Sequence, residues 1–222
     1  MYEKNSAFEE IPSDVILWKY MSLDKFIYLI SENKLYFCRI DKFEDDRECT
    51  LTTIDKKIFR YNEKAKYYWE RERTRYFISC WIKANNELAL MWNTYGKKGI
   101  AIKTTVGKLI ESLSEDTQHD IYISCVNYID YKKESSQATG KALNALRIPM
   151  TKRNFFEQEK EVRLLYCDYN NKNEIGHSLD INTKALIEGI KVYPNAPKYF
   201  IDIVNMELDR FGFDKQALPS EI

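Results

Sequence analysis

Histidine is nearly absent from this sequence: among 222 residues only His119 and His177 occur, each in a polar stretch that reads as surface. A Ser-His or Cys-His nucleophile needs its base within hydrogen-bond reach, so two isolated candidates fit that chemistry poorly. Paired cysteine spacing is missing too. Cys38, Cys49, Cys80, Cys125 and Cys167 are odd in number and never form Cys-x-x-Cys, which argues against a disulfide framework or a zinc knuckle and for a reducing compartment. Net charge is also absent, with 34 basic and 34 acidic residues, so no overall field draws the molecule onto a phosphate backbone or an anionic membrane. The chain opens on no apolar stretch and nowhere runs about eighteen apolar residues together, so signal peptide and membrane span are not expected and a cytoplasmic location is. Repeats, low-complexity tracts and Pro/Gly/Ser linkers are lacking as well. A single domain over 1–222, with its core in 15–211, is the expectation.

Aromatic residues, by contrast, are plentiful: 14 % of the chain, with 16 Tyr and 11 Phe, enough to supply large rings to a core or to pocket walls. β-branched and aromatic runs predict strands at 15–20, 35–38, 76–81, 99–103, 121–128, 160–166 and 190–193. Helical spacing predicts helices at 23–33, 86–95, 106–113 and 199–211. A long helix over 55–75 and another over 135–146 are expected as well. Strands and helices interleave irregularly, which predicts an α+β fold: a mixed, partly antiparallel sheet with flanking helices.

The most informative segment is Glu159-Lys160-Glu161-Val162-Arg163-Leu164. On a strand, alternation places Glu159, Glu161 and Arg163 on one face, where mutual repulsion raises one carboxylate pKa while Arg163 keeps the other ionised. The plainer reading of the same pattern is a solvated edge strand whose charges discourage aggregation. A second acidic cluster, Phe43-Glu44-Asp45-Asp46-Arg47-Glu48, falls on an expected loop. Asp45, Asp46 and Glu48 could offer oxygens to a divalent cation, though they match no established loop spacing, and hydrated connectors commonly look the same. Met91, Trp92 and Tyr95 end a helix just before Gly96. Core packing is the ordinary role of the first two, whereas Tyr95 could equally line a pocket.

Taken together, Trp18-Lys19-Tyr20, Phe43 to Glu48, Met91-Trp92-Asn93-Thr94-Tyr95 followed by Gly99, and Lys152 with Phe156, Glu159, Glu161 and Arg163 resemble DUF2971, a bacterial family of uncharacterised proteins. The resemblance runs over residues 15–210, with Glu44, Asp46 and Phe156 standing where that family has Asn, Pro and Trp. The family's arrangement is in turn similar to the ADP-ribosyltransferase fold, which implies a split sheet and NAD, or a related nucleotide, as ligand. On that resemblance Lys19 or Tyr20 contacts the adenosine-ribose side, Lys19 standing where His or Arg is usual. Tyr95 or Trp92 stacks on nicotinamide. Glu161 or Glu159 bonds the nicotinamide-ribose hydroxyl and stabilises an oxocarbenium-like transition state, because positive charge develops on the sugar as the glycosidic bond breaks. The implied function is an ADP-ribosyltransferase-like or NAD-cleaving enzyme, in the manner of a bacterial toxin or phage-defence effector, acting on a nucleic-acid or protein acceptor without a metal and without a membrane. Two alternatives stand beside it. One is a metal-dependent nuclease using Asp45, Glu48, Glu159 and Glu161, and the other is a non-catalytic module that binds a ligand or partner.

Overall fold

The computed structural model describes residues 1–58, 63–113, 118–137, 144–170 and 174–222, with 63–66 as backbone only. Its strands are β1 Ile16–Met21, β2 Lys34–Arg39, β3 Tyr76–Lys83, β4 Ile100–Thr105, β5 Tyr122–Cys125, β6 Asn127–Ile129, β7 Thr151–Arg153, β8 Glu161–Cys167, β9 Gly176–Asp180, β10 Gly189–Val192 and β11 Ala217–Pro219. Its helices are α1 Leu23–Glu32, α2 Thr53–Ile58, α3 Glu63–Glu72, α4 Ala89–Thr94, α5 Val106–Ser112, α6 Thr183–Leu186 and α7 Lys198–Arg210. Nine strands form one sheet in the order β11-β10-β4-β1-β3-β2-β9, with β8 pairing β3 and β5 pairing β8. Nearly all pairings are antiparallel, β10 with β11 being the parallel exception in this sheet. This is the expected α+β architecture.

Alternation along the strands separates two faces. Leu17, Trp81, Ile102, Val162 and Leu164 join Phe26, Leu29 and Ile30 of α1, Leu109 of α5 and Leu208 of α7 in the main core. The opposite face carries two smaller apolar clusters, one around Trp69, Ile78 and Leu165 and the other around Trp18, Tyr20, Ile82 and Trp92. Between those two clusters the same face presents Cys80, Glu161 and Arg163, a polar strip where an unbroken core would otherwise run.

Strand β3 is the organising element. Its whole length pairs β8 on one side, from Tyr76↔Cys167 to Ile82↔Glu161. Its other side is shared: β1 pairs only at Leu17↔Lys83 and Trp18↔Ile82, while β2 pairs only at Cys38↔Ile78 and Arg39↔Phe77. Ser79, Cys80 and Trp81 therefore have no strand partner on that edge, and β1 and β2 diverge across it, β1 turning to β4 and β2 to β9. Helix α1 joins the two diverging strands. Exposed backbone in such a notch has to be satisfied elsewhere, and Lys19 does so: its Nζ donates to Cys80 O at 2.9 Å and to Ser79 Oγ at 3.0 Å.

Several expected boundaries move for identifiable reasons. The helix at 86–95 starts only at Ala89, because the Tyr20 hydroxyl accepts from the Leu88 backbone N–H at 2.9 Å and Leu88 stays extended as the N-cap. The expected strand 121–128 breaks at Val126, whose N–H turns to Glu161 O, so that β6 pairs β7 in a separate small sheet. The strand expected from Lys160 starts one residue later, since Lys160 is left-handed at φ 47° and Glu159 closes a 3-10 turn, Asn154–Glu159. Of the helix over 55–75, α2 and α3 are described and residues 59–62 lie outside the described residues. The helix over 135–146 falls partly outside them too, and its described ends at 135–137 and 144–146 are not helical. No described helix is long and apolar enough to cross a membrane.

Candidate functional site

The polar strip opens into a cleft of about 690 Å³ lined by Lys19, Tyr20, Tyr95, Phe156, Glu159 and Glu161, with the Phe43–Glu48 loop on one wall. Five of the residues singled out from the sequence thus meet in one hollow: Lys19, Tyr20, Tyr95, Glu159 and Glu161. Another hollow, about 740 Å³, lies between residues 6–12 and β5, lined by Glu9, Glu10, Lys83 and Arg147 and by none of the site residues singled out from the sequence.

Glu161 is the buried anchor, 3 % exposed. Strand alternation puts Arg163 beside it on the same face, and the guanidinium grips the carboxylate through Nε and Nη2 at 3.0 and 2.9 Å. Lys152 Nζ adds a third bond at 3.2 Å. Burial alone would raise the Glu161 pKa, but Arg163 and then Lys152 outweigh it and hold the carboxyl at about 2. The plain edge-strand reading fails here: β8 lies between β3 and β5, and six of its seven residues, from Glu161 to Tyr166, are buried.

Arg163 is fully buried and sits beneath the cleft instead of lining it. It also donates to Pro149 O at 2.6 Å and pairs with Glu48 through Nη2. Lys152 gathers three carboxylates, Glu159 at 2.6 Å, Glu161 at 3.2 Å and Glu48 at 3.7 Å. Burial opposes its ammonium, yet Glu161 and Glu48 more than compensate and its pKa rises. Two cations thus balance three acids, which leaves one negative charge at the cleft floor.

Glu159 does not reach this cluster by alternation on a strand, as the sequence pattern implied. The left-handed turn at Lys160 swings it in from the 3-10 segment, and Oε2 accepts the Lys152 bond. Among the described residues, Oε1 takes no hydrogen bond. Burial, reinforced by the neighbouring Glu161 and Glu48, raises the Glu159 pKa even though the Lys152 bond pulls the other way. The two neighbouring carboxylates are thus shifted in opposite directions, Glu159 up and Glu161 down.

Around the floor stand rings and lysines. Phe156 lies beneath the charges of Lys152 and Arg153, at 5.0 and 5.2 Å from its centroid. Tyr95 is half-exposed at the mouth, and burial pushes its hydroxyl up to about 12. Lys19, desolvated in the notch, is lowered to about 8. Trp92 does not reach the cleft surface: it is buried edge-on behind Tyr20, ring centroids 5.0 Å apart, and its Nε1 donates to Glu87 at 2.9 Å.

Lys152 and Glu48 are the functional-looking residues that sequence reasoning undervalued. Lys152 entered only through the family resemblance, and Glu48 through that resemblance and as a metal ligand. Of the four acids proposed for a nuclease, Glu48, Glu159 and Glu161 do converge, but onto an ammonium, and Asp45 turns away to Arg153 at 2.6 Å. Among the described residues, no group of three His, Cys, Asp or Glu side chains is arranged to hold a metal ion.

Residues 91–164 match the model of a family described as Protein of unknown function (DUF2971). That segment begins inside α4, contains Tyr95, Lys152, Glu159, Glu161 and Arg163, and ends inside β8. No curated protein and no solved structure matches the chain.

Proposed function

We propose that this protein, which carries the DUF2971 segment, breaks the N-glycosidic bond of NAD or a close pyridine-nucleotide relative, passing the ADP-ribosyl group to water or to an acceptor. The observation that carries this reading is the notch where β1 and β2 part on the edge of β3, opening directly onto the Glu159–Glu161–Lys152 floor. A net negative floor with ring-bearing walls suits a flat cation such as the pyridinium ring, and Lys19 at the notch suits a phosphate.

The chemistry asked of the chain is modest. As the C1′–N bond breaks, its electron pair passes to the ring nitrogen and neutral nicotinamide leaves. Positive charge builds on the ribose, and a carboxylate fixed nearby stabilises it more in the transition state than in the ground state. Glu159 is the group for this task, because it lines the cleft and, among the described residues, its Oε1 takes no hydrogen bond, while burial raises its pKa in the direction a general base needs. An incoming water forms the new C1′–O bond and gives its proton to Glu159. Glu161, bound by Arg163 and Lys152, is a positioning residue that keeps Lys152 and the floor in place. Loss of cellular NAD by such a reaction would be toxic, which fits a toxin or phage-defence effector.

The test is nicotinamide release from NAD by the purified protein and by Glu159→Gln, with melting temperatures measured alongside. Release by the wild type that falls at least about a hundredfold in a folded Glu159→Gln protein is the expected result. No NAD consumption by a folded wild type would overturn the reading, and metal-dependent DNA cleavage in its place would favour the nuclease.

A further inference from the structure

A second hollow, about 760 Å³, runs between the end of β1, helix α1 and the start of β2, and it shares Lys19, Tyr20 and Tyr95 with the cleft. Its remaining lining is unlike the acidic floor. Lys25 and Lys34 stand with Lys19 along it, and Asp24 is the one acid among the lining residues. Asp180 lies 3.7 Å from Lys34 and more than two-thirds exposed, so that pair is weak. Three tyrosine rings open onto the groove, Tyr28 at 42 %, Tyr36 at 47 % and Tyr95 at 50 % exposure. Solvent-facing rings of this size along one groove need a reason.

Tyr36 is also held in place. Its ring lies over Gly176 on the neighbouring strand β9, where an added Cβ would stand 2.0 Å from the Tyr36 Oη and 2.3 Å from Cζ. Gly176 has no left-handed φ, so the glycine serves space and not backbone conformation: it leaves room for the phenol end of Tyr36 on the strand. A half-exposed ring packed at its phenol end and standing beside several ammonium groups is the arrangement that stacks a base while neighbouring phosphates are neutralised.

We propose that this α1–β2 groove is the subsite for the diphosphate-and-base half of the nucleotide, with Lys25 and Lys34 on the phosphates and Tyr36 against the base. This rests on the reading above, in which the glycosidic bond sits at the Glu159 floor, and it extends the bound molecule through the shared residues Lys19, Tyr20 and Tyr95 into the second hollow. The substrate class is thereby narrowed to dinucleotides: nicotinamide mononucleotide, which lacks the adenylate half, would leave the groove empty.

Calorimetric titration with ADP tests the groove, since ADP carries no glycosidic bond to nicotinamide. ADP is expected to bind the intact protein and to bind about tenfold more weakly to Tyr36→Ala and to Lys25→Ala/Lys34→Ala. These side chains face solvent, so both variants should melt with the parent, and the melts verify it. Failure of ADP to bind the parent, or unchanged affinity in either variant, would overturn the subsite. The two proposals fail differently. NAD consumed without competition by ADP removes the groove and leaves the reaction, whereas ADP bound through Tyr36 with NAD never consumed removes the reaction and leaves the groove.

Discussion

Arg163 clasps Glu161, its neighbour two residues earlier on β8, with Nε on one carboxylate oxygen and Nη2 on the other. Same-face spacing on a strand brings the two together, and full burial of Arg163 makes the contact matter. The guanidinium also holds Glu48, 115 residues away in sequence, so one side chain ties the acidic loop to the central sheet.

Removing that guanidinium should strand two buried carboxylates. Arg163→Met is expected to lose about 3–5 kcal/mol of stability, read from urea unfolding. Arg163→Lys should recover only part, because an ammonium cannot make the paired contact. A loss under about 1 kcal/mol in Arg163→Met would show that the contact is not structural.

Acid should attack the same cluster. Glu161 sits at about 2 when folded against an ordinary 4.5, so the unfolded chain binds its proton first. Its stabilising contribution is fully present above 4.5 and is lost as pH falls toward about 2. Urea midpoints across that window should drop for the wild type. Glu161→Gln, weaker at neutral pH, should show a shallower acid slope, and identical slopes would contradict the assignment.

Away from the cleft, Asp55 is fully buried. It accepts from Thr52 N at 3.0 Å and from the N–H and hydroxyl of Ser136 at 3.2 and 2.7 Å, and also from Ser135 Oγ. Asp55→Ala leaves several buried donors without their acceptor and is expected to cost about 3 kcal/mol. Nicotinamide release at a temperature where the variant stays folded should match the parent. Lost turnover under those conditions would tie this clasp to the cleft.

Gly176→Ala should tilt the Tyr36 ring away from β9. ADP affinity is expected to fall several-fold with little change in melting temperature. Unaltered ADP binding would mean that the ring's placement is immaterial to the groove.

Much of this was legible in the sequence, because local pattern determines local structure. The runs at Val15 to Tyr20, Tyr76 to Trp81 and Gly99 to Lys103 became β1, β3 and β4 with shifts of one or two residues, and α1, α5 and α7 followed their apolar spacing. Lys19, Tyr20, Tyr95, Glu159 and Glu161 did converge. What escaped was set by distant partners. Nothing near Glu48 announces Arg163 or Lys152, and the pairing of β2 with β9 joins segments over a hundred residues apart. Glu159 was expected on a strand because alternation cannot reveal that Lys160 would turn left-handed.

The Lys19 ammonium, lying where a strand would otherwise hydrogen-bond to Cys80, works as a rivet in an open seam. It satisfies the Cys80 carbonyl where neither β1 nor β2 pairs with β3, so the gap is already present in the folded sheet. The nucleotide proposed above would then meet a ready-made slot, with little of its binding energy spent on prising the sheet apart.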